Sequence, residues 1–126
     1  MSATLPRILV ADDEPALRAL VVVTLGSAYA CDEADSGDAA LMRLREVDYD
    51  LVVLDLMMPG RSGLDVLQEM RADERLRDVP VVVMSAWQSA EDTEGALEAG
   101  ADSFVSKPFQ PEELLGTVRD LVEQNE

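Results

Sequence analysis

The sequence predicts an α/β domain in which a five-stranded parallel β-sheet carries helices on both faces. Short apolar runs alternate along the chain with longer segments whose apolar residues recur at helical spacing. The strongest runs show no polar alternation, which is typical of strands buried on both faces of a parallel sheet. Strand and helix follow each other five times, and right-handed crossovers then place helices on both sides of one sheet.

Five segments are predicted as strands. Three are short apolar runs at residues 8–11, 51–54 and 81–84, rich in Val and Leu. Residues 29–34 and 103–106 are weaker candidates, because they mix apolar with polar residues. Their lengths of four to six residues are ordinary for strands of a globular domain.

The first three helices are predicted from their starts and their apolar faces. Pro15 suits the first turn of a helix that extends to Leu25, although the Val run at 21–23 is also strand-like and leaves this segment open. Ser36 precedes a second helix and Ser62 a third. Ala40, Leu41, Leu44 and Val47 would lie on one face of the second helix, and the third would carry Leu64, Leu67 and Met70.

Two further helices complete the pattern. Ser89 is a candidate cap for the fourth, which we expect to continue through Leu97 and to end at Gly100. The fifth begins at Pro111 and carries a single apolar stripe. The residues of this stripe are Leu114, Leu115, Val118, Leu121 and Val122.

Composition bounds the class of protein. Ten basic residues face twenty-six acidic ones, a formal net charge of −16, so we expect no direct contact of this domain with nucleic acid or anionic membrane. A chain of 126 residues is long enough for one core, and we expect residues 1–126 to form a single domain. We interpret the one cysteine, Cys31, as a buried structural thiol, and no apolar run is long enough for a signal peptide or a membrane span. These features predict a cytoplasmic protein.

Polar side chains follow four of the five predicted strands. They are Asp12 and Asp13 after the first, Asp55 after the third, Ser85 and the small residue Ala86 after the fourth, and Lys107 after the fifth. Because ligands of open parallel sheets bind at the carboxyl ends of the strands, we expect these residues to converge at one edge.

The converging groups favour phosphoryl chemistry assisted by a metal ion. Three neighbouring carboxylates must keep protons or bind a cation, and oxygen ligands suit Mg²⁺, with Mn²⁺ as a substitute. A carboxylate beside the cation can serve as a nucleophile, and Lys107, the only lysine of the chain, can neutralise a phosphoryl oxygen. Each feature alone has an ordinary explanation, such as a helix cap for Asp12-Asp13 or a turn hydroxyl for Ser85. Their occurrence together at the ends of four strands distinguishes a functional site from these ordinary explanations.

These residues resemble the signature of response-regulator receiver domains, the phosphoaccepting domains of two-component signalling. The matching segments are Asp12-Asp13, residues 55–60, Ser85-Ala86 and residues 107–109, with the spacing of that family. The resemblance covers essentially the whole chain. It implies a flavodoxin-like doubly wound sheet with strand order 2-1-3-4-5.

The resemblance also implies roles for individual residues at the metal site. Asp55 would be the phosphoacceptor. Asp13 and Asp55 would ligate Mg²⁺ directly, Asp12 would act through a water molecule, and the backbone carbonyl of Met57 would complete the protein ligands. The family pattern places no other cofactor here.

Further roles concern the phosphoryl group and the switch. Ser85, the Ala86 amide and Lys107 would contact the phosphoryl oxygens, and a cis bond before Pro108 would shape the loop that aims Lys107. Ser85 and Phe104 would form the switch pair, with an ordinary core position as the less favoured alternative for Phe104. Phe104 stands where the family usually has Tyr, so any switch must work through packing.

Two positions flanking the site are expected to modulate the lifetime of the phosphoryl group. Met57 lies two residues after Asp55, and Trp87 lies two residues after Ser85. Both side chains are bulky and largely apolar, so neither is suited to orient an attacking water. We therefore expect a long-lived phosphorylated form.

The expected partners follow from the resemblance. A sensor histidine kinase or a phosphotransfer protein would supply the phosphoryl group, and an unknown output partner would bind the face formed by helix 4, strand 5 and helix 5. Homodimerisation through the same face stays open, and a stand-alone receiver is slightly favoured over the N-terminal part of a longer regulator.

Three alternative functions are less well supported. An Mg²⁺-dependent aspartyl phosphatase needs a second acid where this chain has Met57. A flavin-binding module needs a phosphate loop where the chain has Asp12-Asp13-Glu14. A pseudo-receiver that binds partners without phosphorylation usually lacks one of the acidic or Lys positions, and all are present here. We therefore expect a signalling domain that catalyses only its own phosphorylation and dephosphorylation.

Overall fold

The computed structural model describes residues 4–86 and 90–124. Within these residues five strands alternate with five α-helices, and a short 3-10 helix, Gly26–Ala28, lies between the first helix and the second strand. The elements are β1 Arg7–Ala11, α1 Pro15–Leu25, β2 Ala30–Ala34, α2 Gly37–Glu46, β3 Leu51–Asp55, α3 Gly63–Ala72, β4 Val81–Ser85, α4 Ala90–Glu98, β5 Ser103–Ser106 and α5 Pro111–Gln124. The predicted order of elements is confirmed.

The five strands form one parallel sheet in the order β2-β1-β3-β4-β5. This order, which the resemblance implied, is confirmed. The chain builds outward from β1 in one direction to β2 and then in the other through β3, β4 and β5. The register pairs Ala11 with Leu54 and Asp55 with Met84, so the carboxyl ends of the central strands lie side by side. This is the edge at which the sequence predicted the site.

Each face of the sheet contributes to its own hydrophobic core. Leu9 and Ala11 of β1 pack with residues of α2 and α3, whereas Ile8 and Val10 pack with residues of α1 and α5. All residues of β3 and β4 are buried, which explains the uninterrupted apolar runs in the sequence.

The ambiguous Val run of residues 21–23 is helical. In α1, Val21 and Leu25 are buried at i and i+4, whereas Val23 is 74% exposed. A strand would place Val21 and Val23 on the same face, so the observed burial follows the helical period. The helix therefore presents one buried face to the sheet and leaves an apolar side chain in solvent.

Helix ends agree with the sequence at most positions. The Ser36 hydroxyl accepts a hydrogen bond from the Ala39 N–H at 3.1 Å, and Ser62 forms a capping box with Asp65. Val47 follows the end of α2 in an extended conformation and so is not part of the helical face, although it packs against the core. Ser89, the predicted cap of α4, lies outside the described residues.

Cys31 is partly buried on β2 rather than fully buried, because β2 is an edge strand that pairs only with β1. Burial, followed by the charges of Asp32 and Glu33, raises the pKa of its thiol. In the described part of the chain, no helix has the length and apolar character needed to cross a membrane.

Candidate functional site

The carboxyl edge of the sheet brings the predicted polar residues together. Asp12 and Asp13 follow β1, Asp55 ends β3, Ser85 ends β4 and Lys107 follows β5. One carboxylate oxygen from each of the three aspartates lies within 4.8 Å of the others. The predicted convergence is therefore present in the structure.

The loop between β1 and α1 holds the first acidic residue in place. Asp12 is 3% exposed, and its backbone N–H donates to the Ala34 carbonyl of β2 at 3.1 Å. Its Oδ1 accepts a hydrogen bond from the Glu14 N–H at 2.9 Å. Its own carbonyl accepts one from Arg18 Nη1 at 2.8 Å. Both the backbone and the side chain of Asp12 are thus fixed.

Asp55 is buried and its two oxygens have different partners. Oδ1 accepts a hydrogen bond from the Met57 N–H at 3.1 Å, and Oδ2 lies 3.2 Å from Lys107 Nζ. Burial raises the pKa of this carboxyl, and the Met57 N–H and the Lys107 charge oppose that effect only in part. The site therefore holds a carboxylate that is poorly solvated and oriented by its neighbours.

A close backbone approach positions the loop after Asp55. A Cβ on Gly63 would lie 2.0 Å from the Asp55 carbonyl oxygen. Only glycine permits this contact, which brings the start of α3 against the end of β3. The contact fixes where the loop containing Met57 leaves the strand.

Lys107 is the cation of the site. Its Nζ lies 2.9 Å from Asp12 Oδ2 and 3.2 Å from Asp55 Oδ2, and its backbone N–H donates to the Ser85 carbonyl at 2.8 Å. Burial lowers the pKa of the ammonium, but the hydrogen bond to Asp12 and the charge of Asp55 outweigh burial, so the pKa is raised. The peptide bond between Lys107 and Pro108 is cis.

An open cavity lies at this acidic edge of the sheet. Its volume is about 210 Å³, and its lining includes Asp13, Asp55, Met57, Ala86 and Lys107. With all three carboxylates ionised, one ammonium leaves an excess of negative charge. Clustered oxygen donors with unbalanced negative charge fit a small divalent cation.

The predicted switch residues lie on adjacent strands and differ in burial, and Phe104 pairs with Val83, two residues before Ser85. Ser85 is 2% exposed at the end of β4. Phe104 of β5 is partly buried and packs against the core on the α2–α3 face of the sheet. Their position is compatible with the switch and with ordinary packing, so the switch role stays a prediction.

Of the two positions predicted to modulate the phosphoryl lifetime, Met57 and Trp87, the structure describes only Met57. The side chain of Met57 is 67% exposed at the mouth of the cavity, so it is free to meet solvent or a partner. Trp87 lies outside the described residues. The expected effect of both on phosphoryl lifetime stays a prediction.

Two residues near the site were not predicted from the sequence. Glu14 lines the cavity, and Arg18 bonds the backbone of Asp12. The sequence did hold a signal for Arg18, because it is the only charged residue of α1. A single charged side chain in an otherwise uncharged helix indicates that it has a specific partner.

Comparison with known families identifies the class of protein that this fold and site define. The family profile described as the response regulator receiver domain matches residues 8–119. The chain belongs to this family, whose members are signalling domains of two-component systems. A sheet of this order with an acidic carboxyl edge is what the family predicts.

Particular relatives refine the comparison. The chain is similar to the DNA-binding response regulator MtrA of Mycolicibacterium smegmatis, with 42% identity over 121 residues, covering 95% of this chain and 52% of MtrA. It is also similar to the phosphate regulon transcriptional regulatory protein PhoB of Escherichia coli, with 38% identity over 114 residues, covering 90% of this chain and 50% of PhoB. The chain thus spans about half the length of these curated relatives.

Solved structures show the same fold over nearly the whole chain. The receiver domain of the Francisella response regulator 1452 superimposes with a TM-score of 0.89 at 30% identity, covering 96% of this chain and 99% of that one. The chemotaxis protein CheY4 of Vibrio cholerae superimposes with a TM-score of 0.88 at 27% identity, covering 94% and 99%. These similarities agree with the strand order and helix placement described above.

Proposed function

We propose that this chain is a phosphorylation-dependent signalling switch in which Asp55 accepts a phosphoryl group. The observation that carries the proposal is the cluster of Asp12, Asp13 and Asp55 within 4.8 Å, with the Lys107 ammonium 3.2 Å from Asp55. The phosphoryl donor would be a sensor histidine kinase or a phosphotransfer protein. The family membership supports a signalling domain rather than an enzyme acting on other substrates.

Four residues would hold the cation. Asp13 and Asp55 would bind Mg²⁺ directly, Asp12 would bind it through water, and the Met57 carbonyl would supply a further oxygen. When bound, Mg²⁺ would neutralise charge on the phosphoryl oxygens, and Mn²⁺ would serve as a substitute. The three clustered carboxylates support this assignment.

The protein groups around Asp55 have separate tasks in the proposed transfer. A carboxylate oxygen of Asp55 attacks the phosphorus of the donor's phosphohistidine. The new O–P bond forms as the N–P bond breaks, and the donor's imidazole leaves with the electron pair. The Met57 N–H orients the Asp55 carboxylate. Lys107 pairs with a phosphoryl oxygen, while the Ser85 hydroxyl and the Ala86 amide donate hydrogen bonds to others. Such transfers depend mainly on positioning and charge neutralisation, which these groups supply.

The phosphorylated state would be read at a distance from Asp55. Movement of Ser85 toward the phosphoryl group would let Phe104 turn inward and would alter the face formed by α4, β5 and α5. An output partner, or a second copy of the chain, would bind that face. The partial burial of Phe104 is compatible with such a change.

The partners proposed for this chain are proteins, whereas some of its relatives are described as DNA-binding. MtrA is a DNA-binding regulator and is about twice as long as this chain. For this domain we propose no direct contact with nucleic acid or membrane, because its net charge of −16 opposes approach to phosphate. We propose a cytoplasmic location because it fits a histidine kinase as the phosphoryl donor.

Intact-mass measurement after incubation with acetyl phosphate tests the proposal. The wild type should gain one phosphoryl group with Mg²⁺ and none without it, and Asp55→Asn should gain none. Asp50→Asn is a matched control, because Asp50 immediately precedes β3 and is exposed at its opposite end. A folded wild type that gains no mass and binds no beryllofluoride would refute the proposal.

A further inference from the structure

Arg18 links three elements around the acidic loop. Its Nη1 donates to the Asp12 carbonyl at 2.8 Å, and its Nε donates to Glu33 Oε1 on β2 at 2.9 Å. Resting on the function proposed above, we propose that Arg18 is a positioning residue that holds the loop of Asp12 and Asp13 in the geometry a divalent cation requires.

The burial of Arg18 makes these bonds effective. Its side chain is 16% exposed, whereas Glu33 is 47% exposed. A hydrogen bond from a charged group that is largely withdrawn from water is stronger than one at the surface. The planar guanidinium donates in two directions at once, so Arg18 can bond the loop while Glu33 fixes its orientation.

The bond to Asp12 completes a two-sided support for one residue. On one side the Asp12 N–H donates to the Ala34 carbonyl of β2, and on the other side its carbonyl accepts from Arg18 of α1. The Arg18 backbone N–H also donates to the Glu14 carbonyl at 2.9 Å, which closes the first turn of the helix. Removal of the guanidinium would leave the Asp12 backbone with its bond to β2, while the Asp12 side chain would keep its bonds to the Glu14 N–H and to Lys107.

The chemistry of the site explains why such support is needed. Three carboxylates within 4.8 Å repel each other, and the loop that carries two of them could relieve the repulsion by moving away from Asp55. Arg18 bonds Asp12 at the backbone carbonyl rather than at the carboxylate. It therefore opposes the movement without occupying the carboxylate oxygens that a cation would use.

Calorimetric titration with Mg²⁺ tests the inference. Arg18→Gln should bind Mg²⁺ roughly tenfold more weakly than the wild type, the size of effect expected when an outer support of a metal ligand is lost. Glu33→Gln should show a smaller loss, because it frees the guanidinium without removing its bond to Asp12. Arg7→Gln is the matched control, since it removes the Arg7–Asp32 ion pair at the other end of the β1–β2 pair.

The pattern of affinities decides between positioning and its alternatives. Arg18→Lys keeps the charge but not the two-directional fork, so it should bind Mg²⁺ more weakly than the wild type. Wild-type affinity in Arg18→Gln or in Arg18→Lys would overturn the inference, as would equal losses in Arg18→Gln and Arg7→Gln. Absence of Mg²⁺ binding by the wild type would instead overturn the proposed function. Thermal unfolding in EDTA confirms that each variant is folded at the titration temperature.

Discussion

The two ends of the sheet differ in how their charged groups are arranged. At the carboxyl end, three aspartates lie close together and one ammonium pairs with two of them, which leaves negative charge unbalanced. At the amino end, Arg71 on α3 donates to the carbonyls of Gly100 at 2.9 Å, Arg77 at 3.0 Å and Val79 at 2.8 Å, and it pairs with Asp102 at 3.1 Å. Like charges therefore repel each other at the carboxyl end, whereas the arginine at the amino end is paired and hydrogen-bonded.

A second arginine extends this contrast. Arg75, in the loop after α3, donates to the Leu44 and Arg45 carbonyls at the end of α2, each at 2.9 Å, and pairs with Asp48 at 3.1 Å. These carbonyls belong to the last turn of a helix, where no partner exists within the helix itself. Arg71 and Arg75 thus join α3 to its neighbours on both sides. We infer that the arginine contacts at the amino end stabilise the fold, whereas the repulsion among the aspartates at the carboxyl end lowers stability but favours binding of a cation.

The largest expected effect is the loss of Arg71. Arg71→Met should lower the free energy of unfolding by about 3 kcal/mol, because several backbone carbonyls and Asp102 lose a charged donor together. Urea unfolding measures this loss. Arg77→Met is the control, since Arg77 is exposed and contributes its carbonyl to the cluster. Equal stability of the two variants would contradict the role given to the amino end.

At the carboxyl end the expected effect has the opposite sign. Burial raises the pKa of Asp55, so its carboxylate form is less favourable in the native state than in the unfolded state at neutral pH. Without metal, Asp55→Asn should therefore raise the free energy of unfolding. Urea unfolding in EDTA tests this, and Mg²⁺ should then stabilise the wild type but not the variant. A destabilised variant would show that the Lys107 pair outweighs the repulsion.

A smaller effect is expected at high pH from Tyr49. Its hydroxyl donates to Asp32 at 2.6 Å, and burial, followed by this bond, raises its pKa from 10.0 to about 12. The neutral phenol is favoured in the native state, so its stabilisation is fully present below about pH 10 and is lost as the pH rises toward 12. Tyr49→Phe should flatten the decline of the melting temperature over this range more than Tyr29→Phe does. Identical profiles would argue against the Asp32 contact.

The smallest effect on stability is expected at Met57, where the change should be kinetic. Because the side chain is exposed, Met57→Asn should alter the free energy of unfolding by less than about 0.5 kcal/mol. The amide can orient water, so phosphoryl loss from Asp55 should become faster. Intact mass followed over time after removal of the phosphodonor measures this. Met42→Asn, at another exposed methionine, should leave the rate unchanged.

The residue pattern predicted the order of the elements and the polar residues that meet at the acidic edge. Uninterrupted apolar runs located β1, β3 and β4, and polar residues directly after them located the acidic edge. The order of the strands came from the family resemblance, because apolar runs do not state which strands are neighbours. The Val run in α1 needed the structure, since the residue types fit either period and only the burial of Val21 with Leu25 settles it.

The long-range arginine contacts could not be predicted. Arg71 and Gly100 are far apart in the chain, and a guanidinium bound to backbone carbonyls leaves no pairing pattern in the sequence. The exposure of Met57 was equally hidden, because an apolar residue in a loop can face either the core or solvent. Cys31 was assigned to the core from its apolar neighbours, and its place on an edge strand leaves it partly exposed.

Lys107 is the only lysine in the chain. An amine-reactive reagent therefore has a single side-chain target besides the α-amino group, and that target sits against Asp12 and Asp55. A protonated, paired and mostly buried amine is a poor nucleophile, so its rate of acylation reports how often the site opens. Ordinary chemical labelling would thus follow the state of this one site with no engineered probe.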